Sequence, residues 1–149
     1  MLQLGRRSGK FSNVTNVVTT STRAARKGIE LLVEQLLDAL KRHDAATCAA
    51  LFTDDGVIIS PWAPTARGLN AIRATHQAWF DEGEANKRLT VLEVDSSGDL
   101  AYCLLAWSGD YPQSDGSVAT YSGTSVNVLQ RQANAEWKIR VQSLNSDAE

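Results

Sequence analysis

The second half of the chain consists of four alternating segments joined by short connections, which limits the folds available to it. The segments are rich in β-branched and aromatic residues, as is typical of strands with one buried face. The connections are rich in Ser, Gly, Asn and Asp, and each is shorter than the roughly 12 residues that a parallel crossover needs. The sequence therefore predicts an antiparallel sheet with strands at 89–94, 100–108, 118–131 and 136–145.

Three helices are predicted in the first half of the chain. The most regular pattern begins at Ile29, and Asp44 is a suitable N-cap for a shorter helix over 45–52. Gly68 precedes a third helix over 69–82. The first helix has one wide apolar stripe at helical spacing, formed by Ile29, Leu32, Val33, Leu36, Leu37 and Leu40.

The segment between the second and third helices predicts a turn and one short strand. Residues 53–56 favour a turn, 57–59 form a β-branched apolar run, and Pro61 and Pro64 end that run. The predicted order is α-α-β-α-β-β-β-β. This order indicates an α+β fold with helices gathered on one face of a curved antiparallel sheet.

Charge divides the chain into a basic leader, residues 1–27, and an acidic body, residues 28–149. All 17 acidic residues and nine of the 15 basic residues lie in the body. We expect the leader to be a flexible extension; a transit peptide and a short edge strand over 14–18 are the alternatives. The acidic body argues against binding of nucleic acid, which requires clustered Lys and Arg.

Composition also argues against several other classes of function. No apolar run approaches the roughly 20 residues that span a bilayer, so no membrane role is expected. Cys48 and Cys103 lack metal-ligand spacing, and a pair of thiols in a chain long enough to bury its own core is typical of reduced cysteines in a cytoplasmic protein. Without a Gly-rich phosphate loop or a metal motif, no cofactor and no metal are expected.

Several short motifs occur in the order seen in one superfamily. They lie at 51–56, 68–72, 99–101, 136–139 and 145–147. In this order the chain resembles the SnoaL-like group of the nuclear-transport-factor-two-like superfamily, also called ketosteroid-isomerase-like or cystatin-like. The resemblance implies a cone-shaped sheet around the N-terminal helices, an apolar cavity open at one end, and frequent homodimers formed through the outer sheet face.

The acids used by enzymes of that superfamily are missing from the matching positions. Ketosteroid isomerases carry an Asp directly before the Pro that ends the first strand, and this chain has Ser60. Many related domains carry an Asp on the last strand where this chain has Gln142. Arg140 has no inward-facing acid to complete the set found in limonene-epoxide hydrolases. Neither a hydroxyl nor an amide can act as the general base near neutral pH.

His76 is the candidate catalytic residue. It lies four residues after Ile72 and four before Phe80, on the apolar face of the third helix beside Trp79. An imidazole is suited to acid/base catalysis near neutral pH. The alternative is a histidine of the core. His43, at a helix end, is expected to be structural.

The candidate ligand-binding residues are aromatic or amide side chains. Asp110 and Tyr111 are expected near the rim of the cavity, and Trp137 in the core. Polar residues of the last two strands either line the cavity or face outward. Alternation shows which residues share a face of the sheet but does not show which face is turned inward. The predicted ligand-binding set is Trp62, Trp79, Trp107, Tyr121, Asn127 and Gln142.

Two kinds of function fit these features. The first is a cofactor-free homodimer that binds a small apolar or aromatic molecule; any catalysis would be an isomerase, cyclase or hydrolase step with His76 as acid/base. The second is a non-catalytic association module that binds through its sheet face. A cavity of ligand size would favour the first, and a large exposed apolar patch without a cavity would favour the second.

Overall fold

The described residues form one mixed sheet and three helices, in the order expected from the sequence. The computed structural model describes the backbone of residues 12–147 and the side chains of residues 23–147. The helices are α1 (Ser12–Lys41), α2 (Ala45–Ala50) and α3 (Leu69–Asp81). The strands are β1 (Phe52–Ile59), β2 (Ala66–Arg67), β3 (Ala85–Ser97), β4 (Leu100–Pro112), β5 (Val118–Arg131) and β6 (Trp137–Ser146).

The sheet has six strands in the order β2-β1-β6-β5-β4-β3. Strands β3 to β6 form the predicted antiparallel meander, whereas β1 pairs with β6 in parallel. The α+β fold, with a curved sheet around the N-terminal helices, is confirmed. The two-residue strand β2 was not predicted, because two residues are too few to show alternation.

Helix α1 packs its apolar stripe against the inner face of the sheet. Ile29, Leu32, Leu36 and Leu40 are all buried, as the stripe predicts. They share one core with inner-face residues of the sheet such as Cys103. Among the described residues, no helix is both long enough and apolar enough to cross a membrane.

The N-terminal part of α1 differs from the expected flexible extension and from the alternative edge strand. Residues 12–27 continue the helix, and Ala25 already belongs to the core. Val and Thr lower helix propensity in this segment, but it contains neither Pro nor Gly, so the helix can extend N-terminally from its packed stripe. The rest of the expected extension, residues 1–11, lies outside the described residues.

The predicted N-cap of α2 is confirmed. Asp44 Oδ1 accepts a hydrogen bond from the backbone N–H of Thr47 at 3.0 Å, and Oδ2 accepts one from the Thr47 hydroxyl at 2.6 Å. These bonds hold the pKa of the Asp44 carboxyl below its usual value, because both stabilise the ionised form. The cap fixes the turn between α1 and α2.

Residues 53–56, predicted to form a turn, produce an irregularity inside β1. Phe52 pairs with Ile139 and Val57 with Val141, so four residues of β1 stand against one of β6. The Thr53 hydroxyl donates to Asp55 Oδ1 at 2.9 Å. Arg140, the opposing residue, donates to the Asp55 carbonyl oxygen at 2.7 Å, and its guanidinium lies 3.2 Å from the carboxylate. Asp55 and Arg140 therefore stabilise a bulge.

Candidate ligand-binding cavity

A cavity of about 490 Å³ lies where the C-terminal end of α3 faces the end of β4. This volume is within the range of roughly 300–1,000 Å³ typical of small-molecule sites. Its lining among the described residues comes from the β1–β2, α3–β3 and β4–β5 connections, from α3 and from the strands β3 to β6. These residues are Trp62, Trp79, Glu82, Glu84, Lys87, Trp107, Tyr111, Pro112, Gln113, Tyr121 and Leu144.

Five aromatic side chains form most of the apolar wall. Trp62 and Trp107 meet edge to face with centroids 5.6 Å apart, and Tyr111 and Tyr121 do the same at 5.6 Å. Trp107 is buried, while Trp62 is 51% exposed. Trp107 therefore marks the inner end of the cavity and Trp62 its mouth.

The register of the sheet explains how Trp107 is held. It pairs directly with Gly123 on β5, and its indole Nε1–H donates to the Asn145 carbonyl oxygen at 3.2 Å. A Cβ at position 123 would overlap that carbonyl and lie 2.8 Å from the Trp107 ring. Only Gly permits the close approach of the three strands that fixes the indole.

A charged cluster occupies the inner end of the cavity. Glu84 Oε1 accepts hydrogen bonds from the Tyr111 hydroxyl at 2.7 Å and from Lys87 Nζ at 3.1 Å. Lys87 Nζ also donates to the Tyr111 oxygen at 3.3 Å and lies 4.8 Å from the centroid of Trp107. Glu84, Lys87 and Tyr111 thus form a closed hydrogen-bonded triangle against an aromatic face.

The triangle keeps Tyr111 protonated. Burial, followed by the negative charge of Glu84, raises the pKa of Tyr111 far above its usual value. The phenol is therefore a hydrogen-bond donor to Glu84 at any physiological pH.

Backbone contacts at the start of β3 position Glu84. His43 Nε2 lies 2.7 Å from the Glu84 carbonyl oxygen, and the His43 ring stacks on Phe80 at 4.6 Å. His43 thus joins the end of α1 to the segment between α3 and β3, in agreement with its expected structural role.

His76, the predicted catalytic residue, is not part of the cavity wall. Its side chain points into the core between Phe52, Trp79 and Phe80, at centroid distances of 6.4, 5.4 and 6.1 Å. Neither ring nitrogen has a hydrogen-bond partner among the described residues. Burial lowers the pKa of His76 to about 4, so the imidazole is neutral near pH 7. The position of His76 on the apolar face of α3 predicted correctly that it lies inside the domain. The structure places it on the core side of Trp79.

Four of the predicted ligand-binding residues line the cavity and two do not. Trp62, Trp79, Trp107 and Tyr121 are in the wall. Asn127 and Gln142 are on the inner sheet face but are buried in the protein interior.

Asn127 and Gln142 instead bond to each other. Gln142 Nε2 donates to Asn127 Oδ1 at 3.0 Å, and Asn127 Nδ2 donates to Ser125 Oγ at 3.0 Å and to the Cys103 carbonyl at 3.2 Å. Alternation identified the face, but Asn127 lies against Ile29 and Leu32 of α1 and both amides are buried. Buried amides require hydrogen-bond partners within the core.

The charged residues of the cavity were not predicted from the sequence. Glu82 and Glu84 lie in the connection between α3 and β3, and Lys87 lies near the start of β3; in sequence this polar segment looks like an exposed loop. Of the two rim candidates, Tyr111 lines the cavity, whereas Asp110 bonds with Thr120 and Asn86 on the exposed side of the sheet. The i, i+3 spacing of Glu84 and Lys87 was the one sequence signal of an ion pair. Because this spacing occurs in many exposed loops, it does not identify a site.

Comparison with known proteins identifies the family. The sequence profile of the SnoaL-like domain matches residues 33–136, more than half of the chain. The protein is a member of the SnoaL-like domain family. No curated protein matches it significantly in sequence.

Solved structures similar to this SnoaL-like domain share its fold. A ketosteroid isomerase-like protein from Erwinia carotovora atroseptica has a TM-score of 0.73 and 23% identity, over 81% of this chain and 95% of that chain. A cystatin-like domain of unknown function from Nostoc punctiforme has a TM-score of 0.70 and 22% identity, over 87% and 80%. A nuclear-transport-factor-two-like protein from Novosphingobium aromaticivorans has a TM-score of 0.68 and 19% identity, over 93% and 90%. At these identities the likeness shows the fold alone.

The SnoaL-like domain has no clustered metal ligands in the part of the chain that the structure describes. Ser60, which stands where ketosteroid isomerases carry Asp, lies outside the cavity wall, and its hydroxyl oxygen is 3.4 Å from the Trp62 backbone nitrogen. The titratable groups of the wall are therefore Glu82, Glu84, Lys87, Tyr111 and Tyr121.

Proposed function

We propose that this SnoaL-like domain binds a small molecule with an apolar, aromatic body in the cavity between α3 and the sheet. The observation that carries the proposal is a cavity of about 490 Å³ with five aromatic side chains in its wall. Apolar walls with a few convergent polar groups are the usual composition of ligand sites. A cavity of this size favours ligand binding over a purely associative role.

Binding without catalysis is the form of this function that the geometry supports best. An isomerase, cyclase or hydrolase step through His76 requires the imidazole to contact the ligand, and His76 lies outside the cavity wall with its pKa lowered to about 4. Acid/base chemistry in this cavity would have to use Glu84, Lys87 or Tyr111, which are already bonded to one another.

A homodimer formed through the outer sheet face is proposed as the assembly. Paired strands place apolar side chains side by side there: Tyr102 opposite Val128, Leu104 opposite Val126, and Val128 opposite Val141. Val126 is 40% exposed, which is high for a residue in the middle of a sheet. The patch lies on the face opposite α1, so a second copy would cover it without closing the cavity.

The cysteines support a cytoplasmic location for the protein. Cys48 and Cys103 are both free and buried. Burial raises the pKa of Cys48 to about 12 and that of Cys103 to about 11, so both thiols remain protonated and unreactive. Unpaired thiols are typical of proteins from reducing compartments.

Calorimetric titration with naphthalene tests the proposed function. The domain should bind this probe, and Trp62→Ala should weaken binding by roughly three- to tenfold, as expected for loss of one aromatic contact. Tyr102→Ala, which removes an aromatic ring from the outer sheet face, is the matched control and should leave the affinity unchanged. Absence of binding up to the solubility of naphthalene, or equal affinity in the wild type and Trp62→Ala, would contradict the proposal.

A further inference from the structure

The ammonium group of Lys87 has donor capacity left over. A lysine ammonium carries three N–H donors. Among the described residues, two acceptors are within hydrogen-bond distance, Glu84 Oε1 and the Tyr111 oxygen. One donor therefore remains for a ligand.

Exposure distinguishes Lys87 from Glu84 as a ligand contact. The side chain of Lys87 is 14% exposed and that of Glu84 is 3% exposed. Glu84 Oε2 has no hydrogen-bond partner among the described residues, but it is completely buried. A ligand can reach the ammonium but cannot reach the free carboxylate oxygen, so the cluster offers the ligand a donor and no acceptor.

The charges of the wall disfavour ionised ligands. Lys87 is neutralised by Glu84 at 3.1 Å, and Glu82 adds an exposed carboxylate to the lining. An anion entering the cavity would meet two acidic side chains and one basic side chain, which is already paired. At the inner end a cation would meet the ammonium of Lys87 rather than the carboxylate of Glu84, because the ammonium is the more exposed group of the pair. The low dielectric there strengthens this local repulsion.

We propose that Lys87 is the polar anchor of the cavity and that the ligand is a neutral molecule with an aromatic body ending in a hydrogen-bond acceptor, such as a carbonyl group. This inference rests on the proposed function, because it specifies the ligand of the same cavity. Glu84 and Tyr111 hold the ammonium in place, and the face of Trp107 lies beneath it. The aromatic body extends from the anchor toward Trp62 at the mouth.

Four naphthalene probes of similar size separate the effects of charge and of the acceptor. The probes are naphthalene, 2-acetonaphthone, 2-naphthoate and 2-naphthylmethylammonium. With the wild-type protein, 2-acetonaphthone should bind about tenfold more tightly than naphthalene, as expected for one hydrogen bond to a charged donor. Both ionised probes should bind more weakly than 2-acetonaphthone.

Variants of Lys87 assign the effect to its ammonium. Lys87→Met should remove the advantage of 2-acetonaphthone over naphthalene, whereas Lys87→Arg, which keeps a charged donor, should retain most of it. Removing one member of a buried ion pair leaves an uncompensated charge and can unfold a protein. The double variant Glu84→Met with Lys87→Met removes both charges and provides the same comparison if the single variant does not fold.

The outcomes separate this inference from the proposed function. If naphthalene and 2-acetonaphthone bind the wild type with equal affinity, or if the preference survives in Lys87→Met or in the double variant, the anchor is disproved while the binding function stands. Tightest binding of 2-naphthoate or of 2-naphthylmethylammonium would also disprove it. If no probe binds, the proposed function itself fails.

Discussion

His76 and Glu84 show how two buried polar residues come to differ in role. The Glu84 carboxylate accepts hydrogen bonds from Tyr111 and from Lys87, which is also its ion-pair partner, and it faces a cavity. His76 has aromatic neighbours on three sides and no hydrogen-bond partner among the described residues. Desolvation disfavours the charged imidazole, so the folded protein holds His76 in its neutral form.

Acid should therefore destabilise the fold through His76. The pKa of His76 is lowered from 6.5 to about 4, so between these values the unfolded chain binds a proton that the folded chain does not. The free energy of unfolding then falls as the pH decreases through this window, by about 1.4 kcal/mol per pH unit. Above about pH 6.5 the imidazole is neutral in both states and the contribution is constant.

His76→Phe should reduce this pH dependence. Urea unfolding at pH 7 and at pH 4.5 gives the loss of stability for each protein, and the loss should be smaller in His76→Phe by about 2 kcal/mol. Any cost of packing the larger ring is the same at both pH values and cancels. The carboxylates are common to both proteins, so their contribution to the loss of stability also cancels. Equal losses in the two proteins would show that His76 is not the group responsible.

At the scale of elements, helix α1 contains a glycine because Trp137 lies against it. A Cβ at position 28 would lie 2.7 Å from Cδ1 of the Trp137 indole. The other partner of that ring is Arg131, whose guanidinium carbon lies 5.8 Å from the ring centroid. The position of Trp137 in the core, expected from sequence, thus depends on Gly28.

Gly28→Ala should destabilise the protein even though Ala favours helices. Ala gains up to about 1 kcal/mol of helix propensity over Gly, but overpacking a rigid indole costs roughly 1–3 kcal/mol. In a Trp137→Leu background the clash is absent and Gly28→Ala should become neutral or stabilising. Thermal unfolding of the four proteins in this double-mutant cycle measures the coupling. Additive effects would mean that Trp137 does not restrict position 28.

The elements themselves were largely predictable because their signals are local. The stripe of α1, the Asp44 cap of α2 and the alternation of β5 each depend on residues adjacent in sequence or one helical turn apart. The parallel pairing of β1 with β6 was not predicted, because Val57 and Val141 are far apart in sequence and no local pattern links them.

At the scale of the whole molecule, the two proposed functions use opposite faces of the sheet. The inner face packs on α1 and contributes Trp107 and Tyr121 to the cavity wall, while the outer face carries the apolar patch around Val126. Ligand binding and dimer formation should therefore be independent of each other.

Val126→Lys should shift the proposed dimer toward monomer without weakening naphthalene binding. The substitution places a charge in the middle of the patch, and desolvating that charge would oppose association. Sedimentation velocity measures the oligomeric state, and Ser114→Lys in the exposed β4–β5 connection is the control with the same charge change. A wild type that is monomeric at high concentration, or a dimer unaffected by Val126→Lys, would exclude this interface.

Sequence alone determined the α+β fold and the order of the main elements, and it offered aromatic candidates for the cavity that the family resemblance implied. Fold class and element order follow from periodicity and residue type, which are properties of neighbouring residues. Only the tertiary structure decided which inner-face residues meet open space. Asn127 lies against α1 and bonds to Gln142, the core encloses His76, and the cavity remains beside Trp107. The tertiary structure also brought Glu84, Lys87 and Tyr111 together, because the hydrogen bonds to Tyr111 join segments more than 20 residues apart.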